Sequence, residues 1–209
     1  MERRIQPTKN NDEKRNTYAM LKGRYTKAVK YGFSFEAMSL AYALIEDRLR
    51  SFLLYIGALD ERDSFKVTRN SVRRTDLKMI AEKYPDKKGV NNLGITAITA
   101  KIRLIRATLL WAEDQVGNPE SEYLKVIKSE YERCLDNDAL LKTLEDIESF
   151  CAYRNEVIHA AFNKNYMILD SGISYEVEKV MEAERFLELQ INALKRSNKI
   201  RKKMNMKKI

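Results

Sequence analysis

The chain has 209 residues, enough to bury one sizeable core and most simply organised as one domain. Apolar residues make up 44% and charged residues 33%, with only seven Gly and three Pro. That scarcity of turn formers argues against a β-sandwich, and no apolar run approaches the roughly 18 residues that span a bilayer. The net charge of +9 is unevenly spread: residues 1–30 carry nine Lys/Arg against three Asp/Glu, and residues 195–209 carry eight against none. Residues 31–194 hold 22 against 27, a mildly acidic body. Basic ends on such a body suit polyanions, nucleic acid first; a solubilising terminus is the plain alternative. The stretch Met1–Pro7 lacks the apolar core of a secretory signal. Cys134 and Cys151 are too few for a disulfide framework and read as buried free thiols. A cytoplasmic location is therefore the default expectation.

Taken in order, residues 1–10 are polar. From Asn11 to about Tyr31, the positions Tyr18, Leu21, Tyr25, Ala28 and Val29 recur at helical spacing, and Gly32 ends the helix. Ser34 is a candidate N-cap for the most hydrophobic helix, Phe35 to Ile56, whose wide apolar stripe marks it as central. Gly57 closes it. The segment from Asp60 to Arg74 reads as a polar connection containing four arginines, followed by a short helix from Thr75 to Lys83 and a loop from Asp86 to Asn92. Helices are expected from Ile95 to Glu113, from Pro119 to about Leu135, and from a cap at Asp136–Asp138 to about Phe162. Tyr166 to Leu169 reads as a brief β-like run and Gly172 as a turn. A last helix is expected from Ser174 towards Lys203, its apolar pattern stopping at Leu194. The expectation is all-α, six or seven helices: a basic arm and first helix (1–33), a helical bundle (34–194) and a basic tail (195–209).

One stretch bears on chemistry: Arg154-Asn155-Glu156-Val157-Ile158-His159, which contains the only histidine. Asn155 and His159, four apart, share a helix face; Arg154 and His159, five apart, lie roughly 140° apart around the axis. Histidine moves protons near neutral pH, and an arginine offers a fixed fork of donors to a crowded phosphate. Coincidence is the bland reading: a structural histidine, and an Arg154 paired with Asp146 or Glu156.

An Arg followed within four to six residues by His, with a polar residue behind the Arg and late in an all-helical chain, resembles the HEPN superfamily. The resemblance implies a small helical bundle, commonly a homodimer, in which two such helices meet face to face. It implies a metal-independent endoribonuclease acting as a toxin, abortive-infection protein or antiviral-defence effector, with an antitoxin protein or regulatory RNA as possible partner. An acidic residue on an early central helix is common in that family, and Glu46 stands there. The resemblance thus assigns Arg154 to phosphate stabilisation, His159 to acid/base work, and Asn155 with Glu46 to orientation. One departure is plain: where some toxins of the family carry a modifiable Tyr two residues after the His, this chain has Ala161.

The cations Arg69, Arg73 and Arg74, and Lys195, Arg196, Lys199, Arg201, Lys202 and Lys203 in the tail that runs to Lys208, are the expected RNA contacts. One His and two scattered Cys cannot build an ordinary zinc site, no Gly-rich phosphate loop is present, and neither metal nor cofactor is expected. The competing reading is a non-catalytic helical RNA-binding or adaptor protein.

Overall fold

The computed structural model describes residues 11–61, 66–84, 95–114, 117, 119–160 and 166–206, without the side chains of 11, 160 and 166–171. Residues 1–10, the loop from Asp86 to Asn92, Ala161, Phe162, Lys207 and Lys208 lie outside the described residues. Among those described there are eight helical segments and no strand: α1 (Asn11–Lys30), α2 (Ser34–Tyr55), α3 (Ser71–Lys83), α4 (Ile98–Asp114), α5 (Glu122–Cys134), α6 (Asn137–Ala160), α7 (Tyr166–Ser197) and the short α8 (Lys199–Lys203). No helix among them is long and apolar enough to cross a membrane.

α2 is central, as its stripe implies. Met38, Ala41, Leu44, Ile45, Leu49, Phe52 and Leu53 are all buried, and the helix packs against α1, α7, α4 and α6. Ser34 is not its cap; Phe33 holds that position without a side-chain bond, and the buried Ser34 hydroxyl lies 3.4 Å from that of Ser174 on α7. By contrast α6 is capped as expected, with Asp136 accepting from the Ala139 amide at 3.1 Å.

α1 docks by ionic contacts as much as by apolar ones. Lys14 pairs with Asp47 at 2.7 Å, the Tyr18 hydroxyl donates to Asp47 at 2.7 Å, and the Arg48 guanidinium lies 4.4 Å from the Tyr18 ring. Arg48 in turn pairs with the fully buried Glu184 of α7 at 2.7 Å. The first helix is thereby part of the body.

Three expectations need correction. α3 starts at Ser71, four residues early, because Asn70 caps it by accepting from the Arg73 amide at 3.1 Å. The β-like run and turn at Tyr166–Gly172 are helical, the first two turns of α7. The last helix, expected to run on towards Lys203, stops at Ser197: Asn198 adopts a left-handed backbone (φ 49°) and leads into α8, which buries Ile200 and Arg201.

Candidate functional site

α6 presents two faces where it crosses α2. Ile147, Phe150, Cys151 and Val157 point into the core. Arg154 follows this inward stripe and is half-buried, while Asn155, Glu156, Ile158 and His159 are exposed. Arg154 and His159 are thus separated within one chain, as a five-residue spacing on a continuous helix requires.

Arg154 is held from two sides. Its guanidinium carbon lies 4.6 Å from the centroid of the Tyr42 ring on α2, within cation–π range. Its Nη1 donates to Asn155 Oδ1 at 3.1 Å. Its Nε is buried and has no hydrogen-bond partner among the described residues. Asp146, a candidate counter-ion, pairs instead with Lys179 at 2.8 Å. Among the described residues the guanidinium is therefore oriented by a ring and an amide, with no carboxylate ion pair.

Glu46 sits one turn beyond Tyr42 on the same face of α2. Its Oε1 accepts from Lys101 Nζ at 2.9 Å, and Arg50 approaches at 4.0 Å. Lys101 is fully buried, and its ammonium also donates to the Thr96 carbonyl at 3.0 Å. Burial costs a lysine several kcal/mol unless it is paired, so Glu46 is needed for this end of α4 to pack. Cys151 feels the charge of both groups: burial pushes its thiol up to about 12, with Glu148 and Glu46 adding to that and Arg154 opposing it. The Tyr42 phenol is likewise held protonated by burial, then by Cys151 and Glu46, against Arg154.

Sequence reasoning missed Tyr42, Lys101 and Cys151 as neighbours of this site. Lys101 carried a signal: it falls on the apolar stripe of Ile98, Ile102 and Ile105, where a lysine requires a buried partner. Tyr42 carried none, since an aromatic at helical spacing reads as core.

The expected RNA-binding cations divide. Arg69, Arg74, Lys195, Arg196, Lys199, Lys202 and Lys203 are exposed, although Lys199 pairs with Glu130 at 3.5 Å and Lys203 with Glu122 at 3.2 Å. Arg73 and Arg201 are buried, which corrects their assignment to the surface. Arg73 donates to the Gly57 carbonyl at 2.7 Å and pairs with Asp60 at 2.7 Å; Arg201 donates to the Leu54 carbonyl at 2.9 Å. Both groups saturate carbonyls at the end of α2. That end lies about 22 Å along the helix from Tyr42, fifteen residues at 1.5 Å each.

Among the described residues, no three His, Cys, Asp or Glu side chains are grouped so as to hold a metal. No family model, curated protein or solved structure matches the chain.

Proposed function

We propose that the protein is a HEPN-like, metal-independent endoribonuclease acting as a homodimer, a toxin or antiviral-defence effector. The observation that supports this most is the state of Arg154: a half-buried guanidinium, oriented by Tyr42 and Asn155, one and a half turns from an exposed histidine on the same helix. The scaffold arginines are held otherwise: Arg73 and Arg48 are paired with carboxylates, and Arg201 donates to the Leu54 carbonyl.

In this reading the substrate's 2′-oxygen attacks the adjacent phosphorus, and the bond from phosphorus to the 5′-oxygen breaks. His159 of one protomer takes the 2′-hydroxyl proton, and the same residue of the partner protomer returns a proton to the 5′-oxygen. Arg154 stabilises the charge on the five-coordinate phosphorus. Asn155 fixes the guanidinium fork. Glu46 acts at one remove, by neutralising Lys101 and so holding α4 against the α2 face that carries Tyr42. The exposed face of α6, with Ala152, Asn155, Ile158 and His159, is where the second copy packs.

The test is cleavage of mixed cellular RNA in EDTA by wild type and His159→Ala. Cleavage by the wild type alone, leaving 2′,3′-cyclic phosphate ends and sparing DNA, is the expected result. RNA bound but uncut by both proteins would favour the adaptor reading, for which the exposed Lys195, Arg196 and Lys202 are the supporting feature.

A further inference from the structure

The corner between α1 and α2 carries an exposed aromatic pair. Tyr31 is 63% exposed and Phe33 56% exposed, with ring centroids 6.2 Å apart. Rings of this size are ordinarily turned inward, since burial of each favours folding by roughly 1.5–3 kcal/mol. The backbone that presents them is held by a hydrogen-bonded turn. Gly32 has φ +71°, its amide donates to the Val29 carbonyl at 3.2 Å, and the Phe33 amide donates to the Ala28 carbonyl at 2.8 Å. This is the glycine-terminated helix end in which the residue after the glycine ordinarily packs back on the helix. Here Phe33 leaves more than half of its surface in solvent.

The rings stand among cations. Arg24, Lys27 and Lys30 are exposed on the last two turns of α1, and Lys30 Nζ lies 5.7 Å from the Tyr31 centroid. Glu36 is the acid facing them. Arg24, Lys27, Tyr31, Phe33, Phe35 and Ser39 line an open groove of about 730 Å³. On α2, the positions Phe35, Ser39, Tyr42 and Glu46 fall within an arc of about 60° at 100° per residue. The groove, whose lining on α2 ends at Ser39 and Leu40, and the Tyr42 ring that Arg154 meets therefore lie on the same face of α2. Seven residues separate Phe35 from Tyr42, about 10 Å along the axis, or about three stacked nucleotides at 3.4 Å each.

We propose that the Tyr31–Phe33 corner is a stacking platform for unpaired RNA bases, with Arg24, Lys27 and Lys30 on the phosphates, which leads a single strand along α2 to Arg154. The charge decides the occupant: Arg24 and Lys27 against Glu36 in the lining, with Lys30 beside the Tyr31 ring, suit a polyanion, and exposed rings interleaved with cations hold single strands without regard to sequence. The direction of the strand, but not the platform itself, rests on the ribonuclease reading.

The experiment is binding of a short fluorescent oligouridylate and of an RNA duplex at the same series of salt concentrations, read by anisotropy in a His159→Ala background. Tyr31→Ala with Phe33→Ala weakens the single strand about tenfold or more, the loss that one unstacked base implies, and leaves the duplex within twofold. Tyr31→Trp with Phe33→Trp restores the affinity. Lys27→Glu with Lys30→Glu weakens both ligands and flattens the salt dependence. The double alanine variant melts where the wild type does, so the loss is not one of folding. Unchanged single-strand affinity in that variant overturns the platform, even where His159-dependent cleavage is intact. So does sedimentation showing that it converts a dimer to a monomer. Conversely, a wild type that never cuts RNA but loses single-strand binding with Tyr31 and Phe33 removes the nuclease reading and leaves the platform standing.

Discussion

The two ends of α2 are bounded by the same backbone device and put to opposite use. Gly32 precedes the helix and Gly57 follows it, both with φ above 70°, and each turn closes with the same pair of amide-to-carbonyl bonds, Gly32–Val29 and Phe33–Ala28 on one side, Gly57–Leu54 and Ala58–Leu53 on the other. Around Gly57 everything is filled. A β-carbon there would meet Met206 Sδ at 3.3 Å and the Tyr123 ring at 3.4 Å. The carbonyls of Ile56, Gly57 and Leu54 accept from Tyr123, Arg73 and Arg201. A β-carbon on Gly32 would meet nothing within 4 Å, and its flanking rings face solvent. Local geometry therefore fixes a turn without fixing its purpose. Cations at the crowded end hold the fold together, and cations at the open end remain available to a ligand.

The first way to break this contrast is at the site between the two ends. His159→Ala is expected to lower RNA cleavage by about 10²–10⁴-fold and, because His159 is exposed, to leave the melting midpoint unchanged. Cleavage and melting curves on the same preparation check both. At the crowded end the signs reverse. Arg73→Met strips donors from the Gly57 carbonyl and from Asp60, and should cost about 2–3 kcal/mol of stability with no change in cleavage per folded molecule, measured by denaturant titration.

The two glycines sharpen the comparison further. Alanine in a left-handed backbone costs roughly 1–2 kcal/mol, so Gly32→Ala should lose about that much. Gly57→Ala should lose more, since its β-carbon also displaces Met206 and Tyr123. Equal losses would mean that the contacts around Gly57 contribute nothing.

A smaller effect concerns acid. Burial alone would raise the Asp60 carboxyl, but the Arg69 amide, the Thr68 hydroxyl and Arg73 outweigh it and hold the group below the usual carboxylate range. A carboxyl depressed in the native state adds stability above its unfolded value and loses it as the pH falls through the native one. The midpoint should accordingly drop below about pH 4, and Asp60→Asn should flatten that slope while lowering the plateau above it. The Cys151 thiol, at about 12, should resist alkylation at pH 8 until the protein unfolds.

Periodicity made α2 and α6 legible, because a sustained apolar stripe at helical spacing has few other solutions. It failed where packing outweighed propensity. Gly172 reads as a turn, yet it stands inside α7 where a β-carbon would sit 2.8 Å from the Tyr153 hydroxyl; a close approach, not a bend, accounts for the glycine. The start of α3 was not legible: its cap, Asn70, falls within what reads as a polar connection, and the run Arg73-Arg74-Thr75-Asp76 hid the period. Arg73 and Arg201 look like any surface arginines, since a sequence records charge and not its partner. The motif from Arg154 to His159 was visible as spacing. That Arg154 leans on Tyr42 depends on how two helices cross, which no local pattern encodes.

The most direct test of the division along α2 compares Arg154→Gln with Arg201→Gln, measuring for each the cleavage rate per folded molecule and the melting midpoint. Arg154→Gln should lose cleavage by about 10²-fold or more and keep its midpoint within a few degrees; Arg201→Gln should melt well below the wild type and cut normally once folded. An Arg154→Gln protein that cuts at the wild-type rate, or that loses as much stability as Arg201→Gln, would show that the oriented guanidinium is one more part of the scaffold.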